Sequence, residues 1–283
     1  MKKGFSHLIT DSLLLFLLLL LVPLFGITAN FGGGGSSTDS QQQHSNNNNY
    51  DSSLSIPMTT LSNGVDLPLV GFGVGNLQHD LIAGRIAEAL ADDKNTILID
   101  TAHASSNEIT VRKGIENGLR ASTSTHQGPV HVVTKVWYTH LGYERTKLSV
   151  KASLEELLVP NENDDVSVDI RVHILLHWPR CDDSIPWMNC EAEEERLPGS
   201  VKKAGPPPHL HKDTAFLESW RGLEDIYTGK VILGEKLPKV ESIGISNFNM
   251  DDLQALLGIS RVTPHILQVR MQRNILLASS RGS

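Results

Sequence analysis

Residues 168–179 read VDIRVHILLHWP, an apolar run that ends at a polar side chain, His177. A near-continuous apolar run is typical of a strand in a parallel sheet, which helices cover on both faces. The segments on either side, residues 142–158 and 215–229, have the apolar spacing of amphipathic helices. The stretch therefore predicts a buried strand between two helices, with a polar group at its carboxyl end.

The same alternation of strand and helix extends along the chain in both directions. Asn63-Gly64 predicts the turn of an N-terminal hairpin over residues 58–70. The order of elements favours an α/β fold, either an open doubly wound sheet or a β/α barrel. Further strands are expected at residues 71–75, 96–102, 131–137, 240–248 and 265–271, and further helices at residues 81–91, 108–121 and 251–257.

Polar side chains follow these strands at the point where each strand ends. In a β/α barrel the carboxyl ends share one mouth, where catalytic groups gather. Each residue alone is compatible with a packing role, but their regular placement predicts a shared site. The residues are Asp100, Lys135, His177, Ser246, Asn247 and Gln268.

The composition excludes several classes of protein. The 283 residues carry a formal net charge of -7 without a basic block, which argues against nucleic acid as a partner. Two cysteines are too few for a disulfide-dense scaffold or a four-cysteine zinc site, and we expect no metal. Cys181 and Cys190 are compatible with either a disulfide or two free thiols.

A long polar loop is expected over residues 180–214, and it contains two charged clusters. The acidic run EAEEER, residues 191–196, is expected to be solvated. His209, His211 and Asp213 form an H-x-H-x-D cluster, for which a solvated loop is favoured over a metal site.

The N-terminal segment differs from ordinary globular sequence. Lys2 and Lys3 precede an apolar run at residues 13–25, so residues 1–29 predict a signal peptide or, if uncleaved, a signal-anchor. A buried core helix is the remaining alternative. The leader predicts localisation in the secretory pathway, in an organelle lumen or at a membrane. Residues 30–55 are rich in Gly, Ser, Gln and Asn and predict a disordered linker before a folded domain at residues 56–283.

Several ordered motifs resemble those of the aldo-keto reductase family. DTAHASSNE, residues 100–108, is similar to the family's D-T-A-x-x-Y-x-N-E segment, and VVTKVW, residues 132–137, to its lysine strand. LLHWP, residues 175–179, resembles the histidine strand. ESIGISNF, residues 241–248, resembles the family's most specific signature, and ILQVRM, residues 266–271, resembles its N-Q-V-E strand.

The resemblance implies a (β/α)8 barrel of the TIM-barrel type and an NADPH cofactor. It also implies reduction of a small aldehyde or ketone as substrate. By motif position, Asp100, Lys135 and His177 match catalytic residues. Ser246, Asn247 and Gln268 match positions that bind the nicotinamide carboxamide, and Trp137 and Trp178 match positions near the substrate pocket, with core aromatic side chains as the alternative for the two tryptophans.

The position of the family's catalytic tyrosine holds Ser105 in this chain. A phenol titrates at about 10, whereas an aliphatic hydroxyl is closer to water at about 15.7. The serine is also too short to reach a carbonyl without a bridging water. His103 and His177 are alternative acids. We therefore expect weak or absent carbonyl reduction, even if the cofactor binds.

The second departure follows Met271, where the chain ends in LLASSRGS. The family continues with two more strand–helix units, which hold the cofactor's 2′-phosphate. We therefore expect an incomplete barrel, with roughly six of the eight β/α units. A fragment or faulty gene model, a partner that completes the sheet, and a degenerate relative are the three explanations. The functional alternatives to a reductase are accordingly a non-catalytic relative that binds nucleotide or protein, and a truncated fragment.

Overall fold

The computed structural model describes residues 18–19, 56–92, 97–121, 128–159, 168–205, 212–230, 234 and 236–269. The strands are β1 (Leu18–Leu19), β2 (Met58–Thr60), β3 (Asp66–Pro68), β4 (Phe72–Gly73), β5 (Ile97–Asp100), β6 (Val130–Val136), β7 (Ile170–Leu176), β8 (Ser242–Ser246) and β9 (Ile266–Gln268). The helices are α1 (His79–Asp92), α2 (Glu108–Ala121), α3 (Tyr143–Leu158), α4 (Cys190–Arg196), α5 (Gly199–Lys203), α6 (Ala215–Tyr227) and α7 (Met250–Leu257).

The strands from β4 to β9 form one parallel sheet in chain order, with helices on its outer face. The sheet curls into a half-barrel, so the prediction of an incomplete (β/α)8 barrel is confirmed and the open doubly wound sheet is excluded. The predicted hairpin forms separately from β2 and β3. Strand β1 pairs antiparallel with the outer edge of β9, Leu18 opposite Gln268.

The rest of the expected leader, residues 1–17 and 20–29, and the expected linker at residues 30–55 lie outside the described residues. The domain boundaries drawn from the sequence therefore stay predictions. Among the residues that the structure describes, none of the helices has the length and apolar character needed to cross a bilayer.

The inner face of the half-barrel explains why the site residues follow the strands. Leu98, Val133, Leu175 and Ile266 are buried together on this face. Alternate residues of a strand share a face, so the positions two residues further on also point inward. Those positions are Asp100, Lys135, His177 and Gln268.

The opposite end of the half-barrel is covered by the hairpin. Leu61 and Leu67 pack against the inner apolar cluster. The side-chain amide of Asn63 donates to the carbonyl oxygen of Glu241 at 2.9 Å and to Ser242 Oγ at 3.2 Å. The hairpin therefore covers the apolar inner layer at the end opposite the site residues.

Below this layer, on the same face, lies a buried histidine pair. His131 Nδ1 and His173 Nε2 are 2.8 Å apart, and the rings stack with centroids 5.1 Å apart. Burial, together with the smaller effect of the Arg171 charge, lowers the pKa of His131 from 6.5 to about 4. Burial also lowers the pKa of His173 well below its usual value, so both rings are neutral at pH 7.

Two glycine contacts set the spacing of the surrounding elements. A Cβ on Gly244 of β8 would lie 2.9 Å from Ile266 Cβ and would also overlap the Ile266 carbonyl. A Cβ on Gly114 of α2 would lie 2.8 Å from Ile86 Cβ of α1. Only glycine permits such close approach at these two points. Packing against the neighbouring strand therefore requires glycine at position 244, and packing against α1 requires it at position 114.

Candidate functional site

The centre of the site is a buried ion pair between neighbouring strand ends. Lys135 Nζ lies 2.8 Å from Asp100 Oδ1 and 2.8 Å from Asp100 Oδ2. The ammonium also donates to the carbonyl oxygen of Thr101 at 2.7 Å. A lysine ammonium has three protons, and these contacts use all three. The amide nitrogen of Gln268 donates to Asp100 Oδ2 at 2.8 Å, which ties β9 to the same carboxylate.

His177 stands beside this pair at the end of β7. Burial lowers the pKa of its imidazole well below 6.5, and the positive charge of Lys135 lowers it further. The ring is therefore neutral at pH 7. Within the described part of the chain, its buried Nδ1 has no hydrogen-bond partner. A neutral imidazole keeps one N–H, which suits a donor for a developing oxyanion.

Ser246 and Asn247 complete the mouth from the end of β8. Asn247 has φ of 60°, a left-handed conformation that asparagine tolerates better than most residues. Its amide nitrogen donates to the carbonyl oxygen of His177 at 2.9 Å and to Ser246 Oγ at 3.1 Å. The structure thus brings the predicted cofactor-binding residues Ser246, Asn247 and Gln268 to the strand ends that carry Asp100, Lys135 and His177.

Ser105 ends a short 3₁₀ helix that spans His103–Ser105, after β5. A Cβ on Gly75 would lie 3.2 Å from its Oγ, so the hydroxyl faces the segment after β4. The three protons of Lys135 are directed at Asp100 and Thr101 instead. The Lys135 protons are therefore not available for a hydrogen bond that would make the Ser105 hydroxyl more acidic.

His103, one of the alternative acids, lies next to a second buried carboxylate. Its Nδ1 is 3.6 Å from Glu108 Oε2, and Thr134 donates to Glu108 Oε1 at 2.5 Å. Its ring makes an edge contact with His140 at a centroid distance of 4.8 Å. Burial lowers the pKa of His140 to about 4, with a smaller contribution from the charge of His103. The side chain of His103 is partly exposed, whereas His140 is buried.

Three tryptophan rings line the mouth above His177. The ring of Trp137 lies 4.9 Å from the imidazole of His177 and 6.1 Å from Trp187. Trp178 lies 5.7 Å from Trp187. The rings of the two tryptophans predicted from the sequence are therefore joined by Trp187, which the sequence argument missed. Trp187 is 54% exposed. An aromatic ring in an otherwise polar loop is a sequence signal for a functional surface, and it could have identified this residue.

The long loop after β7 is more structured than the sequence predicted. It contains α4, α5 and a short 3₁₀ helix at Lys212–Thr214. Cys181 and Cys190 form a disulfide, which resolves the two alternatives left open by their spacing. His209 and His211 lie outside the described residues.

Two residues of the acidic run make specific contacts that the expectation of a solvated run did not include. Glu193 accepts hydrogen bonds from Trp137 Nε1 at 2.7 Å and from the Tyr138 hydroxyl at 2.5 Å. Glu194 accepts from Arg145 at 2.6 and 2.9 Å. These carboxylates are held because their donors belong to buried elements of the barrel, far away in the sequence.

Comparisons with known proteins place this site in context. No protein-family model matches the chain. It is 26% identical to the uncharacterized oxidoreductase YtbE of Bacillus subtilis, over 74% of this chain and 57% of that protein. It is 28% identical to morphine 6-dehydrogenase of Pseudomonas putida, over 80% and 60% of the two chains. The NAD(P)H-dependent D-xylose reductase of Kluyveromyces lactis is 28% identical over 74% and 57%.

A solved Bombyx mori aldo-keto reductase in complex with NADP has the same fold. It matches with a TM-score of 0.52 and 22% identity, over 80% of this chain and 62% of that one. The chain spans about 60% of the length of the curated relatives it matches.

These findings correct the localisation expected from residues 1–29. The chain matches oxidoreductases along the barrel, and among the described residues no helix is suited to span a bilayer. The expectation of the secretory pathway, an organelle lumen or membrane attachment is therefore wrong.

Proposed function

We propose that the chain is a reductase-like protein of the aldo-keto reductase family that binds NADPH and reduces a small aldehyde or ketone. Its similarity to oxidoreductases and its barrel fold support this proposal. The observation that carries the proposal is the meeting of a neutral His177 and the buried Lys135–Asp100 pair at one mouth. We propose further that the serine at position 105 weakens the activity.

The donor set at the strand ends fits the nicotinamide carboxamide. Both amide protons of Asn247 and one of Gln268 are used within the protein, so the donors that remain are the Ser246 hydroxyl and the second amide proton of Gln268. The side-chain oxygens of Asn247 and Gln268 supply the acceptors. When bound, the reduced nicotinamide supplies a hydride to the carbonyl carbon.

In this proposal each protein group acts on the substrate oxygen or on its surroundings. The imidazole N–H of His177 donates a hydrogen bond to the carbonyl oxygen and stabilises the charge that develops there. Asp100 fixes Lys135, whose positive charge raises the electrostatic potential at the same oxygen. Trp137, Trp178 and Trp187 exclude water from the mouth.

Proton delivery is the weak step of the proposed reaction. A positioned general acid is worth about 10²–10⁴-fold in rate. Ser105 cannot serve in this role at neutral pH, because its hydroxyl is too weak an acid. We propose His103 as the alternative donor, since its side chain is partly exposed and Glu108 Oε2 lies 3.6 Å from its Nδ1.

The same observations favour a second function, that of a non-catalytic relative which binds nucleotide. The missing phenol at position 105 and the complete use of the Lys135 protons within the protein both support it. Such a protein would keep the nicotinamide donors and lack the acid.

The two functions are separated by titrating the full chain with NADPH and following tryptophan fluorescence. Saturable quenching, followed by NADPH oxidation on addition of benzaldehyde, supports the reductase. Quenching without oxidation supports the non-catalytic relative. No quenching of a chain that is folded by circular dichroism would overturn both, and Asn247→Ala provides the control for binding at the mouth.

A further inference from the structure

The carboxylate of Glu193 bridges two aromatic donors at the end of β6. Its Oε2 accepts from Trp137 Nε1 at 2.7 Å, and its Oε1 accepts from the Tyr138 hydroxyl at 2.5 Å. The two donors are consecutive and begin two residues after Lys135. Each oxygen of the carboxylate therefore holds one side chain of the segment that leaves the ion-paired lysine.

The strength of this contact is expected to exceed that of an ordinary surface hydrogen bond. Hydrogen bonds to charged groups are roughly twice as strong as neutral ones. Burial, with a smaller contribution from the hydrogen bond to Glu193, raises the pKa of Tyr138 above its usual range. The phenol therefore stays a donor at any physiological pH. Tyr138 itself is buried, which removes water as a competing partner for its hydroxyl.

The helix that carries Glu193 is fixed independently of these two contacts. Helix α4 has seven residues, too few to be stable alone. Its first residue, Cys190, is covalently bonded to Cys181, four residues after His177. Asn189 caps the helix by accepting from the backbone N–H of Ala192 at 3.2 Å.

A second carboxylate anchors the other side of α4. The buried guanidinium of Arg145 binds both oxygens of Glu194, and it also donates to the carbonyl oxygens of Thr139 and Val201. Helix α4 is thus attached to α3 and to the segment after β7 by contacts that do not involve Glu193. Glu193 reaches Trp137 from a helix that has two attachments of its own.

The orientation of Trp137 matters because its ring lies against the site. The indole makes an edge contact with the imidazole of His177 at a centroid distance of 4.9 Å. The indole N–H, held by Glu193, sets the rotation of the ring about its side-chain bonds. A rotated Trp137 would change the wall beside His177 without touching the Lys135–Asp100 pair.

We propose that Glu193 is a positioning residue of the candidate site, which orients the indole of Trp137 against His177 from the disulfide-anchored helix α4. Its effect on catalysis rests on the proposed reductase function, whereas its effect on the indole does not.

The test measures near-ultraviolet circular dichroism and tryptophan fluorescence of the full chain. Trp137→Phe first identifies the part of each spectrum that belongs to this ring. Glu193→Met keeps the length of the side chain but removes both acceptor oxygens, so neither Trp137 nor Tyr138 keeps its hydrogen-bond partner. Glu195→Met makes the same change on the same helix at an exposed carboxylate and is the matched control.

We expect Glu193→Met to lose the Trp137 band with unchanged far-ultraviolet dichroism, and Glu195→Met to keep it. Retention of the band in Glu193→Met would overturn the proposal. Loss of helical signal together with the band would assign Glu193 to folding instead and would also overturn it.

Kinetics provide the second measurement if the wild-type chain turns over. Glu193→Met should then raise KM for the carbonyl substrate more than it lowers kcat, because the ion pair and His177 stay in place. A chain without turnover would overturn the proposed function alone, and the spectra of Glu193→Met would still decide the positioning role.

Discussion

The ammonium of Lys135 lies 2.8 Å from each carboxylate oxygen of Asp100, with both side chains buried inside the half-barrel. The pair joins the ends of β5 and β6, and Gln268 adds the end of β9 through its own hydrogen bond to Asp100. Three strands therefore meet on one carboxylate. Because this carboxylate is enclosed by protein, its charge depends on these partners for stabilisation.

Lys135→Met is expected to destabilise the protein strongly, because it leaves Asp100 as an unpaired buried charge. Breaking a buried pair in this way costs about 3–5 kcal/mol in the free energy of unfolding. Urea unfolding followed by circular dichroism measures the change. The double variant Asp100→Asn/Lys135→Met should recover part of the loss, since no buried charge remains. A double variant as unstable as the sum of both single variants would contradict the prediction.

Ser105→Tyr is expected to increase the rate of aldehyde reduction, because it restores a phenol at the position that the family uses for proton donation. The gain should approach the value of a positioned general acid, about 10²–10⁴-fold. The measurement is NADPH oxidation with benzaldehyde as substrate. Ser105→Phe supplies the same ring without the hydroxyl. Equal gains in the two variants would show that ring packing, not proton transfer, raises the rate.

Gly244→Ala is expected to destabilise the half-barrel, since the added methyl would overlap Ile266 on the neighbouring strand. Overpacking of this kind costs about 1–3 kcal/mol. The matched control is Gly84→Ala on α1, where a Cβ meets no atom within 4 Å. That change should stabilise the helix by about 0.5–1 kcal/mol. Thermal melting of both variants tests the pair, and equal melting temperatures would refute the steric argument.

Stability is expected to fall as the pH decreases below about 6.5, the usual pKa of histidine. Burial lowers the pKa of His131 and of His140 to about 4 in the folded chain. Between these values the unfolded chain binds protons that the folded chain does not, so the free energy of unfolding decreases with decreasing pH. This loss continues until the pH reaches the folded pKa.

The measurement is the urea midpoint at a series of pH values between about 7 and 4.5, a range that spans the usual histidine pKa. His131→Gln should flatten the decrease, because glutamine keeps a hydrogen-bonding group without a titrating one. His79→Gln, at an exposed position, should leave it unchanged. A wild-type midpoint that does not move across this range would contradict the prediction.

The site residues at the strand ends were predictable from the sequence because two simple rules apply to them. Alternation within each strand places Lys135 on the same face as Val133, and parallel strands bring their carboxyl ends together. The contacts of the loop after β7 were not predictable, because no periodic pattern relates its residues to the barrel. Glu193 and Trp137 are 56 residues apart, and nothing in an acidic run indicates that one member accepts from an indole.

The cysteine pair shows a similar limit. A separation of nine residues is compatible with either state of the thiols, and only the fold of the intervening loop brings the two sulfur atoms together. Ser105 is a different case, since its identity was plain from the motif. The structure adds that Lys135 directs its protons elsewhere.

The hairpin below the barrel also bears on the order in which the chain folds. Asn63 bonds to Glu241 and Ser242, which follow it by 178 and 179 residues. These bonds cannot form until β8 has joined the sheet, and closing so long a loop costs entropy before any contact compensates it. We therefore expect the hairpin to dock last. The hairpin is synthesised before strands β4 to β8, and it would then stay undocked until β8 has left the ribosome.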